Sequence, residues 1–245
     1  MTGTGPSRAR SFSDPTMDSI WEYRNLLLAG TAVTVQLALS SLALSVVLGL
    51  VGAAAKLATN PVSQKIAGGY TTLVRGVPDL VLMMLLFYGG QQIANDLGSL
   101  TGWWDYLEIN QFIAGVWSIG FVFGAYMTET FRGAILAIPR GQIEAGIACG
   151  MRPFLIFRRI TWPQMIRHAL PSFTNNWLVL IKATALVSVI GLHDLVWNAS
   201  TAGRSVREPF TFMFAVLVIY LILTACSDVG LRWLERRYNV GVDRA

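Results

Sequence analysis

The sequence predicts an all-α membrane protein with five transmembrane helices in a single domain, and three observations predict it. Apolar side chains make up 53% of the 245 residues and charged ones only 13%, against roughly 25% charged in soluble domains. The apolar residues gather into stretches comparable to the ~20 that a helix needs to cross a bilayer. Lys and Arg stand almost wholly between those stretches. There, orientation in a membrane explains them better than nucleic-acid binding does, despite the net charge of +5.

Residues 1–24 form a polar N-terminal tail. Its first 18 positions are rich in Ser, Thr, Gly, Pro and Arg, without an apolar core followed by a small-residue cleavage site, so they read as a loose tail and not as a signal peptide. The first span, residues 25–55, is uncharged and longer than the bilayer needs, so it tilts or projects beyond the hydrocarbon; Lys56 ends it. The second, residues 80–93, is short and carries Gly89 and Gly90. The third, residues 109–128, contains Gly120 and Gly124 in a G-x-x-x-G arrangement that lets a neighbouring helix approach closely. Residues 173–192 form a fourth span interrupted by Lys182. Residues 209–227 form a fifth, with Pro209 tolerated in a first helical turn. The membrane domain closes near residue 231, and 232–245 form a C-terminal tail. Cys149 and Cys226 are far apart, show no zinc or redox spacing, and read as small packing residues.

Five spans put the termini on opposite sides, and short positively charged loops stay cytoplasmic. One face holds Lys56, Lys65, Arg75, Arg132, Arg140, Arg152, Arg158, Arg159, Arg167, Arg232, Arg236, Arg237 and Arg244. The other holds Arg8, Arg10, Arg24, Arg204 and Arg207. The N-terminus is therefore expected outside and the C-terminus in the cytoplasm. Trp103, Trp104 and Tyr106 then lie externally, as interfacial anchors.

Between spans three and four, residues 130–170 are too polar to span and too patterned for a floppy linker. Pro139 suits a first helical turn, Ile143, Ile147 and Met151 recur at spacing four on one face, and Gly150 is a helix stop. Pro153 opens a second short helix that must finish before Pro163. Two short helices joined at a glycine make a knob for a soluble partner, or else an amphipathic segment lying on lipid headgroups; periodicity does not separate these.

A resemblance separates them. Glu144, Ala145, Gly146 and Gly150, followed after nine residues by Ile160 and Pro163, resemble the EAA loop of ABC importer permeases, E-A-A-x-x-x-G then I-x-L-P, with Gly146 in place of the second alanine and Trp162 in place of the leucine. RGVPDLVLM at 75–83, ETFRGAI at 129–135, IPRGQIEA at 138–145, KATALVSVIGL at 182–192 and LERRY at 234–238 extend the likeness over nearly the whole chain from Leu26 to the polar amino-acid permeases, of the histidine/lysine/arginine/ornithine type. The resemblance implies a type I ABC importer permease with cytoplasmic coupling helices in the bacterial inner membrane. It implies a related permease subunit as heterodimer partner, an ABC ATPase dimer gripping the loop, and a periplasmic amino-acid-binding protein. The sequence holds no G-x-x-x-x-G-K-[ST] phosphate loop; ATP and Mg are therefore expected on the ATPase, with no cofactor, metal or catalytic residue on this chain and no nucleic-acid partner. Octopine, nopaline, arginine and glutamine permeases are the related alternatives for cargo.

A lysine at mid-membrane costs ~3 kcal/mol on insertion scales, so Lys182 is expected to face the bundle interior, a partner carboxylate or a watery cavity. Asp79 and Glu129 are the nearby acids. They either help pass a cationic amino acid, or Asp79 merely caps the helix after Pro78 and Glu129 pairs with Arg132. His193 and Asp194 are expected externally, near a docking binding protein or as interfacial polar residues; His168 reads as interfacial. An ion-driven secondary carrier also places charges inside a bundle, but needs no docking loop and commonly shows internal repeats, of which the sequence has none that convince.

Overall fold

The computed structural model describes residues 15–102, 104 and 106–238, and among these all regular structure is helical. The expectations on Arg8, Arg10, Trp103 and Arg244 fall outside the described residues.

A short helix α1, Pro15–Glu22, precedes α2, Arg24–Leu57; the tail expected to be loose through residue 18 is therefore helical from Pro15. At 34 residues, α2 is roughly 51 Å long and outruns the ~30 Å hydrocarbon. Helix α3, Pro61–Gly76, starts on a proline in its first turn with the Asn60 side chain accepting the Val62 N–H. A 114° bend separates it from the run Asp79–Thr101, made of α4 (Asp79–Met84), a π-helical turn (Leu85–Gly89) and α5 (Gly90–Thr101). This second membrane segment is longer than residues 80–93 because the π turn carries the helix through the Gly89–Gly90 pair. Trp104 folds back onto Gly98 and donates its indole N–H to Ala94 O at 3.2 Å, while Tyr106 is exposed.

Helix α6, Gln111–Leu136, begins where Asn110 caps the Phe112 and Ile113 N–H groups. Helices α7 (Arg140–Ala148) and α8 (Pro153–Ile156) lead through a second π turn, Phe157–Thr161, into α9 (Trp162–Ala183) and a 3-10 segment, Thr184–Ile190. The chain closes with α10 (Leu195–Ser205) and α11 (Pro209–Tyr238), so the expected C-terminal tail is helical to residue 238. Among the described residues, α2, α6, the run Pro153–Ile190 and α11 are each long and apolar enough to cross a membrane, and α3 with Asp79–Thr101 makes a fifth, broken span.

Packing centres on α2 against α6. A Cβ on Gly49 or Gly52 would overlap Met127 or Thr128, and one on Gly124 would come within 2.9 Å of Leu48 Cβ. The G-x-x-x-G pair of the third span thus does meet a neighbouring helix, and α2 supplies a glycine seam of its own. Leu37, Ile119, Phe123, Leu180 and Val187 fill the core beneath it. Helix α11 is mostly exposed, with Phe210, Leu217, Leu221 and Val229 pointing outward, the surface expected of a lipid-facing helix. Cys149 and Cys226 are both free and exposed, so neither is a packing residue.

Overpacking a close helix seam costs ~1–3 kcal/mol. Gly52→Leu is therefore expected to lower the thermal unfolding midpoint of the purified protein in detergent, whereas Gly68→Ala, whose Cβ meets nothing within 4 Å, leaves it unchanged or raises it.

Candidate functional site

Where α2 and α6 end, α7 and α8 form a hairpin about Gly150. Gly150 has φ +70°; its N–H bonds Ile147 O at 2.9 Å and the Met151 N–H reaches Gly146 O at 3.0 Å, the paired bonds of a Schellman turn. No atom lies within 4 Å of a Cβ placed there, so backbone conformation, not crowding, calls for glycine. At Gly146 the reverse holds. A Cβ would stand 2.9 Å from Ile160 Cδ1 and 3.3 Å from Ile156 Cγ1, so the departure from alanine in the E-A-A pattern coincides with closer packing. The Gln164 amide donates to Gln142 Oε1 and to Ile160 O (3.1 Å), tying α7 to α9.

On the face carrying Ile143, Ile147 and Met151, Ile147 is 61% exposed, and the buried position of α7 is Gly146. One expectation about this loop is corrected: a second helix does not finish before Pro163. The Trp162 N–H bonds Phe157 O, a wide i→i+5 turn immediately before the residue that has no N–H to give. Pro163 then lies in the first turn of α9, and helix continues from Pro153 to Ile190 over 38 residues with Pro171 inside it. Since α6 also runs on to Leu136, the hairpin between the two long helices is shorter than residues 130–170. Glu144, Ala145, Gly150 and Pro163 are exposed and Ile160 is half-buried. Around them Ile147, Phe154 and Phe157 expose apolar surface, beside exposed Arg152. A mixed patch of this kind suits a protein partner.

Further into the bundle, Glu129 of α6 ties three helices. Its Oε1 binds Lys56 Nζ at the end of α2, Lys56 also reaches Thr71 Oγ1 of α3 at 2.6 Å, and Arg132 Nε meets Glu129 Oε2 at 3.0 Å. The Arg132 pair follows from i,i+3 spacing; the Lys56 pair, distant in sequence, was not foreseen. Beside it opens a polar cavity of about 470 Å³ lined by Arg75, Tyr126, Glu129, Thr130, Ser172, Asn175 and Asn176. The Arg75 guanidinium lies 5.6 Å over the Tyr126 ring, and Asn176 donates to Thr130 Oγ1 at 2.9 Å. On α9, His168, Ser172, Asn175 and Lys182 are all exposed, and their spacing puts them along one helical face.

The sequence model of the family described as "binding-protein-dependent transport system inner membrane component" matches residues 45–240. The chain belongs to this family. Within it, the chain is 51% identical over 92% of its length, and 99% of the relative's, to the permease protein HisQ of the histidine/lysine/arginine/ornithine transport system of Salmonella typhimurium. It is 40% identical to the octopine transport permease OccQ of Rhizobium radiobacter, over 91% of this chain and 94% of that one. A solved structure described as an amino acid ABC transporter with histidines superposes with TM-score 0.76 at 29% identity, covering 89% of this chain and 97% of that one. The chain is accordingly a multi-pass inner-membrane protein with the type I importer permease fold.

In this permease, Asp79 is the first residue of α4, an acid in its first turn, with Pro78 at the N-cap. It sits half-buried beside Met83, Ser118, Val122 and Ala183. Lys182, expected to face the bundle interior, a partner carboxylate or a watery cavity, is exposed on this chain, and among the described residues it has no ion pair; the register of α9 carries it outward with Asn175. Arg75 entered the sequence reading only as a basic residue of one face, and Asn175 and Asn176 did not enter it, because their meeting across the cavity is set by packing between helices distant in sequence.

At the far end of α2, Asp194 caps α10. Its Oδ1 accepts the Trp197 N–H at 2.8 Å, while the buried Oδ2 has no partner among the described residues; His193 is exposed and stacks on Trp197. Burial pushes the Asp194 carboxyl up to about 6, against the opposing backbone N–H groups. A carboxyl that binds its proton more tightly folded than unfolded stabilises at low pH, and that contribution fades as pH climbs from 3.8 to about 6. Asp194→Asn keeps the cap and removes the charge. It is expected to raise the unfolding midpoint at pH 8 and to flatten its pH dependence over that window.

Proposed function

We propose that the chain is the permease subunit of an ATP-driven importer for cationic amino acids, with histidine, lysine, arginine and ornithine as cargo. The observation that carries this is the exposed helical hairpin at Gly150, bearing Glu144, Ala145 and Gly146, in a chain of this family. The cargo follows from the relatives named for those amino acids; opines such as octopine are the second reading, favoured by the 40% identical permease.

In this reading the hairpin points into the cytoplasm, as the thirteen Lys and Arg residues on that face support, and the N-terminus lies in the periplasm. The apolar patch of Ile147 and Phe154 docks in a groove of a separate ATPase dimer, which holds ATP and Mg. A periplasmic binding protein delivers cargo at the α10 end, and a related permease subunit closes the pathway. This chain catalyses nothing itself. Its share of the pathway wall is the α9 stripe of Ser172, Asn175 and Lys182 together with Asp79 and the cavity around Arg75. Glu129, with both oxygens taken, fixes the cavity's shape.

Two results test this. Glu144→Lys is expected to abolish uptake of radiolabelled arginine while the protein still inserts; normal uptake and normal ATP hydrolysis remove the hairpin from the docking role. Asp79→Asn is expected to cut lysine and arginine uptake roughly fivefold to tenfold, equivalent to about 1 kcal/mol of lost attraction. Unchanged uptake removes Asp79 from the pathway.

A further inference from the structure

A further concavity lies apart from the pathway wall. A groove of about 230 Å³ runs between α2, α6, the start of α9 and the end of α11, walled by Leu50, Phe131, Trp162, Met165, Phe173 and Leu234. Its floor is a buried apolar cluster that includes Met127 and Ala169. In a membrane-spanning chain such a groove meets hydrocarbon, and an empty one forfeits the dispersion contacts of its lining.

Basic residues adjoin two of the groove's walls in sequence. Arg158 and Arg159 lie in the π turn just before Trp162, and Arg236 and Arg237 lie in the last turn of α11 just after Leu234. All four are exposed, and among the described residues none forms an ion pair. The nearby acids are engaged elsewhere: Glu235 accepts from Thr174 Oγ1 at 2.8 Å, and Asp228 meets Arg232 at 2.8 Å. Arg237 rests over the Trp233 ring at 5.6 Å. Trp162, 38% exposed, is the residue type that sits at the boundary between headgroups and tails.

We propose that this groove binds an anionic phospholipid, one acyl chain lying along Leu50, Phe131 and Met165 and the phosphate held by the four arginines. A zwitterionic lipid fills the groove equally well but brings its own cation and leaves the guanidinium groups without a counter-charge. An anionic phosphodiester satisfies them with forked, charge-assisted bonds, the arrangement by which basic clefts between transmembrane helices hold acidic headgroups. The bound lipid joins the end of α11 to the first turns of α9, the helix that carries the hairpin.

The test uses the assembled transporter in nanodiscs. Native mass spectrometry should show phosphatidylglycerol retained over phosphatidylcholine of the same chains by about tenfold, falling below about threefold in R158Q/R159Q/R236Q/R237Q, as expected when most of the basic cluster is removed. Phosphatidylglycerol brominated in its tails should quench a part of the tryptophan emission that Trp162→Phe removes. Equal retention of the two lipids, a preference unchanged in the fourfold variant, or quenching insensitive to Trp162→Phe overturns the proposal. So does loss of the ATPase subunit from the fourfold variant, because the arginines then serve protein docking.

Discussion

The coupling end of this molecule depends on one backbone constraint. Pro163 has no N–H to donate, so a regular helix meeting it would leave a carbonyl unpaired and crowd the ring against the preceding turn. The π turn at Phe157–Thr161 widens the helix there, with the Trp162 N–H reaching Phe157 O, and the helix passes instead of stopping. The outcome is a single element from Pro153 to Ile190, roughly 57 Å long, with the exposed apolar patch near one end and the polar stripe of Ser172, Asn175 and Lys182 further along. In the proposed reading, a push on the hairpin is thereby a push on the pathway wall.

The rest of the bundle supplies the frame against which such an element moves. Glycines let α2 and α6 meet backbone to backbone, and Glu129 bonds to Lys56 and Arg132 where α2, α3 and α6 converge. Taking one partner from a partly buried charge cluster leaves another uncompensated, which costs far more than the cluster contributes as a whole. That asymmetry makes Lys56 and Glu129 positional anchors, and it explains why an acid in a membrane helix here need not touch cargo.

Much of the fold was legible because bilayer thickness leaves few options: apolar runs, basic gaps and a glycine after a short amphipathic stretch gave five spans and the turn at Gly150. Features set by backbone accommodation were not legible. A proline normally forecasts a helix end, and nothing in the residues 157–161 announces that a π turn will carry the helix past it. Gly146 looked like a lapse from the pattern until Ile156 and Ile160 proved to lie against it. Lys182 was expected at the bundle interior, a partner carboxylate or a watery cavity from the cost of a membrane charge; it stands on an outward face of this chain, and sequence spacing does not show which face that is. Lys56 with Glu129 and the cavity around Arg75 depend on contacts across long stretches of chain, beyond any periodicity.

The central claim is that hairpin and pathway wall move as one body. Spin labels at positions 154 and 179, in protein whose Cys149 and Cys226 are replaced by Ser, measure it by electron double resonance in the assembled transporter with and without ATP. The distance between them should hold constant while that from position 154 to position 47 on α2 changes. A change within the helix, with the distance to α2 fixed, contradicts the account.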